Sequence, residues 1–544
     1  MLKNKNCVAF GLAALFALIM VACGMKNSVW PLANMRRVQA FYILVVLAGI
    51  GVTGVLAWRV FHKKAKADVP DAAAKNQNTT AKRFFTLALV WGLFYMFVFP
   101  PLSVPDETNH YAKAYYFSNV VLSPSENVEQ PDGMFPRMRL TDAEVMQYYT
   151  RPGVEDYVIL FSGSQAFVSG ESQTTFVSDP QAEALSGVFW AYLPQTMAII
   201  LGRLIHLGGL WTFYLARLFN FAAYLALLWF ALKWIPFGKN TLGVIALLPM
   251  TLHLVASLSY DALLLGLAFF FTAKVLQLAY QADHVTCKDM VILTVSMSLL
   301  APIKLIYVLM AFLCFLIPQA KFKNRKSFIT CAAVMAGVVF LIFLLVNISR
   351  LIPYFEASNL ELEYADGAEC YTLAELIKNP VRTVFILLNT IRVYGSSHLT
   401  RMFGEMLGWL EIPVPLMVIV PFILLLALTV AVTPKEPAVR IEKKNRVISI
   451  LVIVGVIFMA IFSMLAAWTP AGCSVAEGVQ GRYYLPILPL AVLCARNRFL
   501  EVKTDPRDGI CLTICLLHIM ALASVIEVIV ARTGYNVING VIVR

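Results

Sequence analysis

The sequence predicts an all-α polytopic membrane protein of about thirteen transmembrane helices, with a mixed helix-and-strand segment on its outer face. Three observations carry this. Of 544 residues, 59% are hydrophobic and only 14% charged, against about 25% charged in a soluble protein. Mean hydropathy is +0.73. Apolar runs of about 20 residues recur, the length that spans a hydrocarbon core of about 30 Å. The formal net charge of +12 reads as loop lysines and arginines that set orientation, so it does not argue for nucleic acid.

The elements follow in order. Lys3 and Lys5 precede an apolar run, Cys7 to Ala22, and then Cys23-Gly24, the shape of a signal segment. Met20-Val21-Ala22-Cys23 is similar to a bacterial lipoprotein cleavage site, and an uncleaved first helix is the alternative. Ala40 to Phe61 is a second span. His62 to Arg83 is hydrophilic and rich in lysine, which predicts a disordered cytoplasmic linker and an N-terminus inside. Residues 1–83 are thus anchor helices and linker, and 84–544 the membrane domain.

The span Phe84–Phe99 runs outward and ends at Pro100-Pro101. Residues 102–184 form the one sizeable polar segment. It opens helix-like over Asn109 to Asn119 and later alternates in a strand-like way at Tyr157–Phe161 and Thr174–Val177. Further spans are expected near 211–234, 241–258, 261–280, 328–348, 413–432, 447–468, 483–496 and 509–531. The stretch 290–317 has basic loops on both flanks, so it crosses twice, broken at Ala301-Pro302. Residues 185–206 and 380–412 are expected to be re-entrant or surface helices. Ten cysteines show no metal-ligand spacing. Cys370 and Cys473 fall in outer loops and read either as free thiols or as a disulfide pair.

This topology places four polar stretches on one face: Asp106-Glu107, Ser257 to Asp261, Arg392 to Glu411, and Gln480 to Tyr484. Convergence of distant segments is what a surface site requires. Asp106 follows Pro105 and precedes a helix. It reads either as an N-cap or as a general base, with Glu107 orienting it or sharing a divalent cation, magnesium or manganese. His110 lies one helical turn on and reads as a catalytic neighbour or a hydrogen-bonded surface histidine. Asp261 reads as a helix cap or a site residue. Arg482 reads as a snorkelling anchor or as a bidentate phosphate clamp, with Gly481 letting the backbone approach the ligand. Gln480 and Tyr483 flank the clamp. Lys304 is a second phosphate candidate, and Arg401 a polar residue in an apolar stretch. No Walker loop, dinucleotide fingerprint, HExxH or nucleophile elbow is present, so no nucleotide cofactor is expected and an activated donor would be lipid-linked. Arg217, Lys274 and Lys304 lack evident acidic partners in the sequence, which disfavours a transport path.

Pro105-Asp106-Glu107-x-x-His110, Ser257-Leu258-Ser259-Tyr260-Asp261-Ala262-Leu263, Leu407-Gly408-Trp409-Leu410-Glu411-x-Pro413 and Gly478 to Pro486 resemble the domain-of-unknown-function family 2142 of bacterial polytopic membrane proteins, from about Phe84 to Val530. That family is similar to the GT-C superfamily of membrane glycosyltransferases. The resemblance implies a bacterial cytoplasmic-membrane enzyme that takes a sugar from a polyprenyl-phosphate donor. The acceptor is a glycan or lipid of the cell envelope, on the outer face of the bilayer. It implies Asp106 and Glu107 at the acidic catalytic position. Arg482 is expected to face Asp106 across a hollow open to lipid and water. A lipid-linked-glycan flippase and a non-catalytic envelope scaffold are the rival expectations.

Overall fold

The structure is a computed structural model that describes residues 32–61, 72–130, 133–148, 150–161, 188–355, 367–431, 441–496 and 505–532, with short stretches at 166–169, 173–176, 361–362, 536–538 and 541–543. The expected signal segment and Cys23 lie outside the described residues. Most of the described chain is helical. Seven helices are long and apolar enough to cross a membrane, and three shorter apolar helical segments accompany them.

Helix α1 (Leu32–Phe61) is followed by α2 (Ala72–Val98). The linker expectation is corrected here, because residues 72–83 continue α2 as helix. Polar composition was a poor guide, since Arg83 pairs with Asp508 and Arg507 donates to Thr80. These contacts dock the helix on the start of a distant span. The polar segment then begins with α3 (Glu107–Leu122), as expected. A three-stranded antiparallel sheet follows, β1 (Asn127–Gln130), β2 (Gly133–Arg139) and β3 (Thr174–Phe176), with Asn127 opposite Pro136 and Arg137 opposite Phe176. Asn119 knits α3 to this sheet by donating to Glu126, Asn127 and Arg137. The strand expected at Tyr157–Phe161 is instead helix α4 (Val154–Phe161). A short apolar run fits either state, and here the Tyr157 and Phe161 rings pack at a tilt against Phe41 of α1.

Helix α5 (Leu193–Leu204) has twelve residues, too few to span, in line with a surface helix. It packs on α6 (Gly209–Trp234). Two short helices follow, α7 (Lys239–Ala246) and α8 (Pro249–Val255), and Pro249 starts the second. Helix α9 (Asp261–Tyr280) is central, with 83% of its apolar window buried. Helix α10 (Cys287–Ile303) stops after Pro302, and a 3-10 segment (Leu305–Leu316) continues the chain. The break expected at Ala301-Pro302 thus falls at Lys304, whose backbone is extended. Helix α11 (Arg325–Phe355) is peripheral, with 11% of its window buried. An apolar cavity of about 300 Å³ separates it from Val308, Phe312 and Phe315.

Helices α12 (Leu373–Lys378) and α13 (Pro380–Phe403) come next, then a hairpin pairing Met406–Leu407 with Ile412–Pro413. The long apolar helix α15 (Lys443–Trp468) follows a shorter apolar helix, α14 (Leu416–Leu428), and precedes a 3-10 turn (Gly481–Ile487) running into α16 (Leu488–Ala495). Helix α17 (Arg507–Ala531) lies against α1 and is the second most buried span, at 78%. The thiols of Cys370 and Cys473 are free, which corrects the disulfide reading. Their segments do pair: Cys370 bridges Pro470, and Tyr371 donates to the Cys473 carbonyl at 2.8 Å.

Candidate functional site

Four helix ends meet at one end of the bundle: the exit of α2, the start of α9, the break after α10 and the start of the 3-10 turn at Gly481. The loop from Pro100 to Asp106 is tight. Ser103 folds back to the Pro100 carbonyl, and both Leu102 and Asp106 sit at positive φ, 65° and 60°. Aspartate tolerates that left-handed region better than most residues.

The N-cap reading of Asp106 is corrected. It occupies the N-cap position of α3, yet its side chain makes no capping bond. Its carboxylate instead accepts a 2.8 Å bond from Arg482 Nη2. The pair touches directly rather than across a hollow. Arg482 is nearly buried at 8% while the Asp106 side chain is 45% exposed, so an acid faces outward from a cation anchored behind it. Asp261 lies 3.6 Å from Arg482 Nη1 and makes no cap, since Tyr260 holds that position. Lys304 places its ammonium 3.1 Å from the centre of the Tyr483 ring, and Tyr307 fixes that turn by donating to the Tyr483 carbonyl at 2.8 Å. Burial raises the Asp106 carboxyl, but Arg482, His110 and Lys304 outweigh it and hold the group below its ordinary value. Burial pushes Lys304, at the turn between two segments, down to about 7 against the pull of Asp261 and Asp106.

Glu107, one residue on, points elsewhere. It and Arg217 of α6 are fully buried, joined by a two-pronged ion pair at 2.9 and 2.6 Å. Arg217 also donates to the carbonyls of Met96, Phe99 and Pro100, capping the end of α2. Glu107 further accepts from Leu258 N at 3.0 Å. Asn220, one turn beyond Arg217, holds the Ser257 and Ser259 carbonyls at 2.7 and 2.8 Å. Two of the matching motifs are therefore stitched together by one helix, whose Arg217 the sequence showed without a partner. The signal was present, since an arginine inside an apolar run is costly unless engaged.

The shared-cation expectation does not fit. Glu107 spends its oxygens on Arg217 and Leu258, while Asp106 turns to Arg482. Among the described residues no group of three His, Cys, Asp or Glu side chains is placed to hold a metal. His110 is buried, with Nδ1 3.0 Å from the Tyr192 hydroxyl and its ring edge-on to Tyr260. Burial pushes it down to about 3, so it is neutral near pH 7 and supports the site wall. The expectation that Arg217, Lys274 and Lys304 lack acidic partners is also corrected. Arg217 has Glu107, Lys274 has Asp289 at 2.6 Å, and Lys304 feels Asp261 and Asp106.

The remaining candidates divide. The Gln480 amide oxygen and Arg482 Nε are buried without a hydrogen-bond partner among the described residues. Arg401 makes no ion pair among the described residues. Its backbone lies against Gly481, where an added Cβ would come within 2.2 Å of the His398 carbonyl oxygen and 2.6 Å of Met402 N. Gly481 is therefore required by the packing of α13, not by approach of a ligand. The Leu407–Pro413 motif is likewise architectural. Gly408 N donates to His253 Nε2, and the Trp409 indole donates to the Leu102 carbonyl, bracing the acidic loop.

No curated protein and no solved structure matches the chain. A family model does, over residues 89–491, a narrower extent than the resemblance from 84 to 530. That match covers the larger part of the sequence and all four motifs that build the charged cluster, and the chain belongs to domain-of-unknown-function family 2142, described as predicted membrane proteins.

Proposed function

We propose that the chain is a GT-C-like glycosyltransferase of the bacterial cytoplasmic membrane, with its charged cluster on the outer face. It would move a sugar from a polyprenyl-phosphate donor to a glycan or lipid acceptor. The observation that carries this reading is the half-exposed Asp106 carboxylate held at 2.8 Å by a nearly buried Arg482. Asp106 takes the proton of the acceptor hydroxyl. The acceptor oxygen bonds to the anomeric carbon as the bond from that carbon to the phosphate oxygen breaks. The polyprenyl phosphate leaves with its charge held by Arg482 and Lys304. In this reading Gln480 and Asp261 take sugar hydroxyls, and the Tyr483 ring backs Lys304. Glu107 acts as a positioning residue through Arg217. No step runs through a metal.

The crossing count belongs to the same reading. Seven long helices, three shorter apolar segments, the broken pair α7–α8 and α10 make twelve crossings, and the segment 7–22 would make thirteen. The rival is a carrier or flippase. Arg217–Glu107 is buried in the bundle and Lys274 pairs with a partly exposed Asp289, but the two pairs sit near opposite ends of it, and the buried apolar residues Leu264 to Ala268 of α9 lie between. That arrangement favours transfer at a surface over a continuous polar path.

Complementation tests the proposal. Cells lacking the gene change the mass of an envelope glycan, and the wild-type gene restores it. Asn keeps the left-handed backbone at 106, so Asp106→Asn removes charge alone. It is expected to reach the membrane in normal amount and fail to restore the glycan. Full restoration by Asp106→Asn refutes the mechanism.

A further inference from the structure

We propose that α13 is an interfacial helix that seats the site end of the bundle in an anionic lipid leaflet, with its basic side chains on the lipid phosphates. This stands independently of the sugar-transfer reading. One face of α13, including Ile386, Leu387, His398 and Met402, is buried against the 3-10 turn at Gly481 and α15. The opposite side carries Val381, Val384, Phe385, Leu388, Ile391 and Leu399, exposed by 38–84%. Most of these recur at i, i+3, i+4 and i+7, a continuous apolar stripe. The helix has 24 residues, a length of about 36 Å, yet it is not among the helices apolar enough to cross. Arg382, Asn389, Arg392 and Ser396 interrupt it.

Both ends of this region are tied to the end of the bundle that holds the charged cluster. Ahead of it, Tyr371 bonds the Cys473 carbonyl. Behind it, the Leu407–Pro413 hairpin bonds Leu102 through Trp409. The helix therefore lies across the ends of the spans, where a leaflet meets water. The charge identifies the surface it fits. Lys378, Arg382, Arg392 and Arg401 face a single acid across α12 and α13, Glu375, and that carboxylate is spent on the Thr372 amide and hydroxyl. None of the four cations has an ion pair among the described residues. Exposed bulky apolar residues interleaved with uncompensated cations suit a helix lying at headgroup level, where long basic side chains reach up to the phosphates, and basic residues there gain from anionic lipid.

The test uses the full chain in nanodiscs holding equal phosphatidylglycerol and phosphatidylcholine. The photocrosslinker benzoylphenylalanine replaces Leu388, and the same probe in place of Leu341 on α11 serves as the control. Lipid adducts are counted by mass spectrometry. At 388 the adducts are expected to favour phosphatidylglycerol by about fivefold or more over the ratio at 341. Arg392→Gln is expected to cut that preference by roughly fivefold, the share of one interfacial charge. Among the described residues the exposed Arg392 side chain hydrogen-bonds Asn389 alone, so this change spares the fold. Equal ratios at 388 and 341 overturn the proposal. So does a probe at 388 that crosslinks no lipid, or that captures a protein instead.

Discussion

Breaking the Glu107–Arg217 pair is the most demanding test of how the site is built. Arg217→Met strands a carboxylate of 0% exposure and releases three backbone carbonyls, those of Met96, Phe99 and Pro100. Removing one partner of a buried ion pair costs about 3–5 kcal/mol, and each carbonyl left unpaired adds about 1 kcal/mol or more. Glu107→Gln keeps the shape but turns an amide N–H toward a guanidinium that can only donate, so it too is expected to cost several kcal/mol. The double variant Glu107→Leu with Arg217→Met leaves no stranded charge. It is expected to be more stable than Arg217→Met alone, with the loose carbonyls as its residual cost. The assay is thermal unfolding of the four detergent-purified proteins, followed by tryptophan fluorescence and by retention of a monodisperse elution peak. Each single variant should melt several degrees below the wild type. A Glu107→Gln protein that melts with the wild type, or a double variant no better than Arg217→Met, refutes the reading of Glu107 as a positioning residue.

Two further expectations follow from the same geometry. Gly481→Ala drives a methyl group into the α13 backbone; it should loosen α13 and speed protease cleavage between 380 and 403, and an unchanged digestion pattern would contradict the packing. Lys304, pushed down to about 7, loses its charge as pH rises through 7, whereas Asp106, held below its ordinary value, stays ionised and keeps its Arg482 pair until pH falls below the ordinary carboxylate range near 4. Binding of a short-chain prenyl phosphate, followed by calorimetry from about pH 7 to 9, where the ligand's own second ionisation near 6 is complete, should therefore weaken as pH rises. Lys304→Arg should abolish the alkaline loss, and a flat wild-type profile would refute the assignment.

The meeting of four remote motifs was legible because each carries polar residues that a bilayer penalises unless they are used. What each residue does was less legible. Asp106 and Glu107 are neighbours in sequence, but successive positions at a helix start diverge by about 100°. One therefore reaches Arg482 and the other Arg217, and composition cannot rank them. Arg217 was visible as an oddity and misjudged as partnerless because its partner lies 110 residues away. Residues 72–83 read as linker because their polarity is real; the docking on Asp508 and Arg507 is tertiary. Tyr157–Phe161 has too few residues for its periodicity to decide between helix and strand.

The distance between partners has a consequence for synthesis. Asp106 leaves the ribosome 376 residues before Arg482, which at about 5–20 residues per second is roughly 20–75 s. Glu107 meets Arg217 far sooner, once α6 is inserted. The loop is thus set early by one arginine and waits, with its acid unneutralised, for a second that arrives near the end of translation. A chain stopped before residue 482 would hold a shaped but incomplete pocket, so the bundle acquires its charge balance only when its penultimate span is in place.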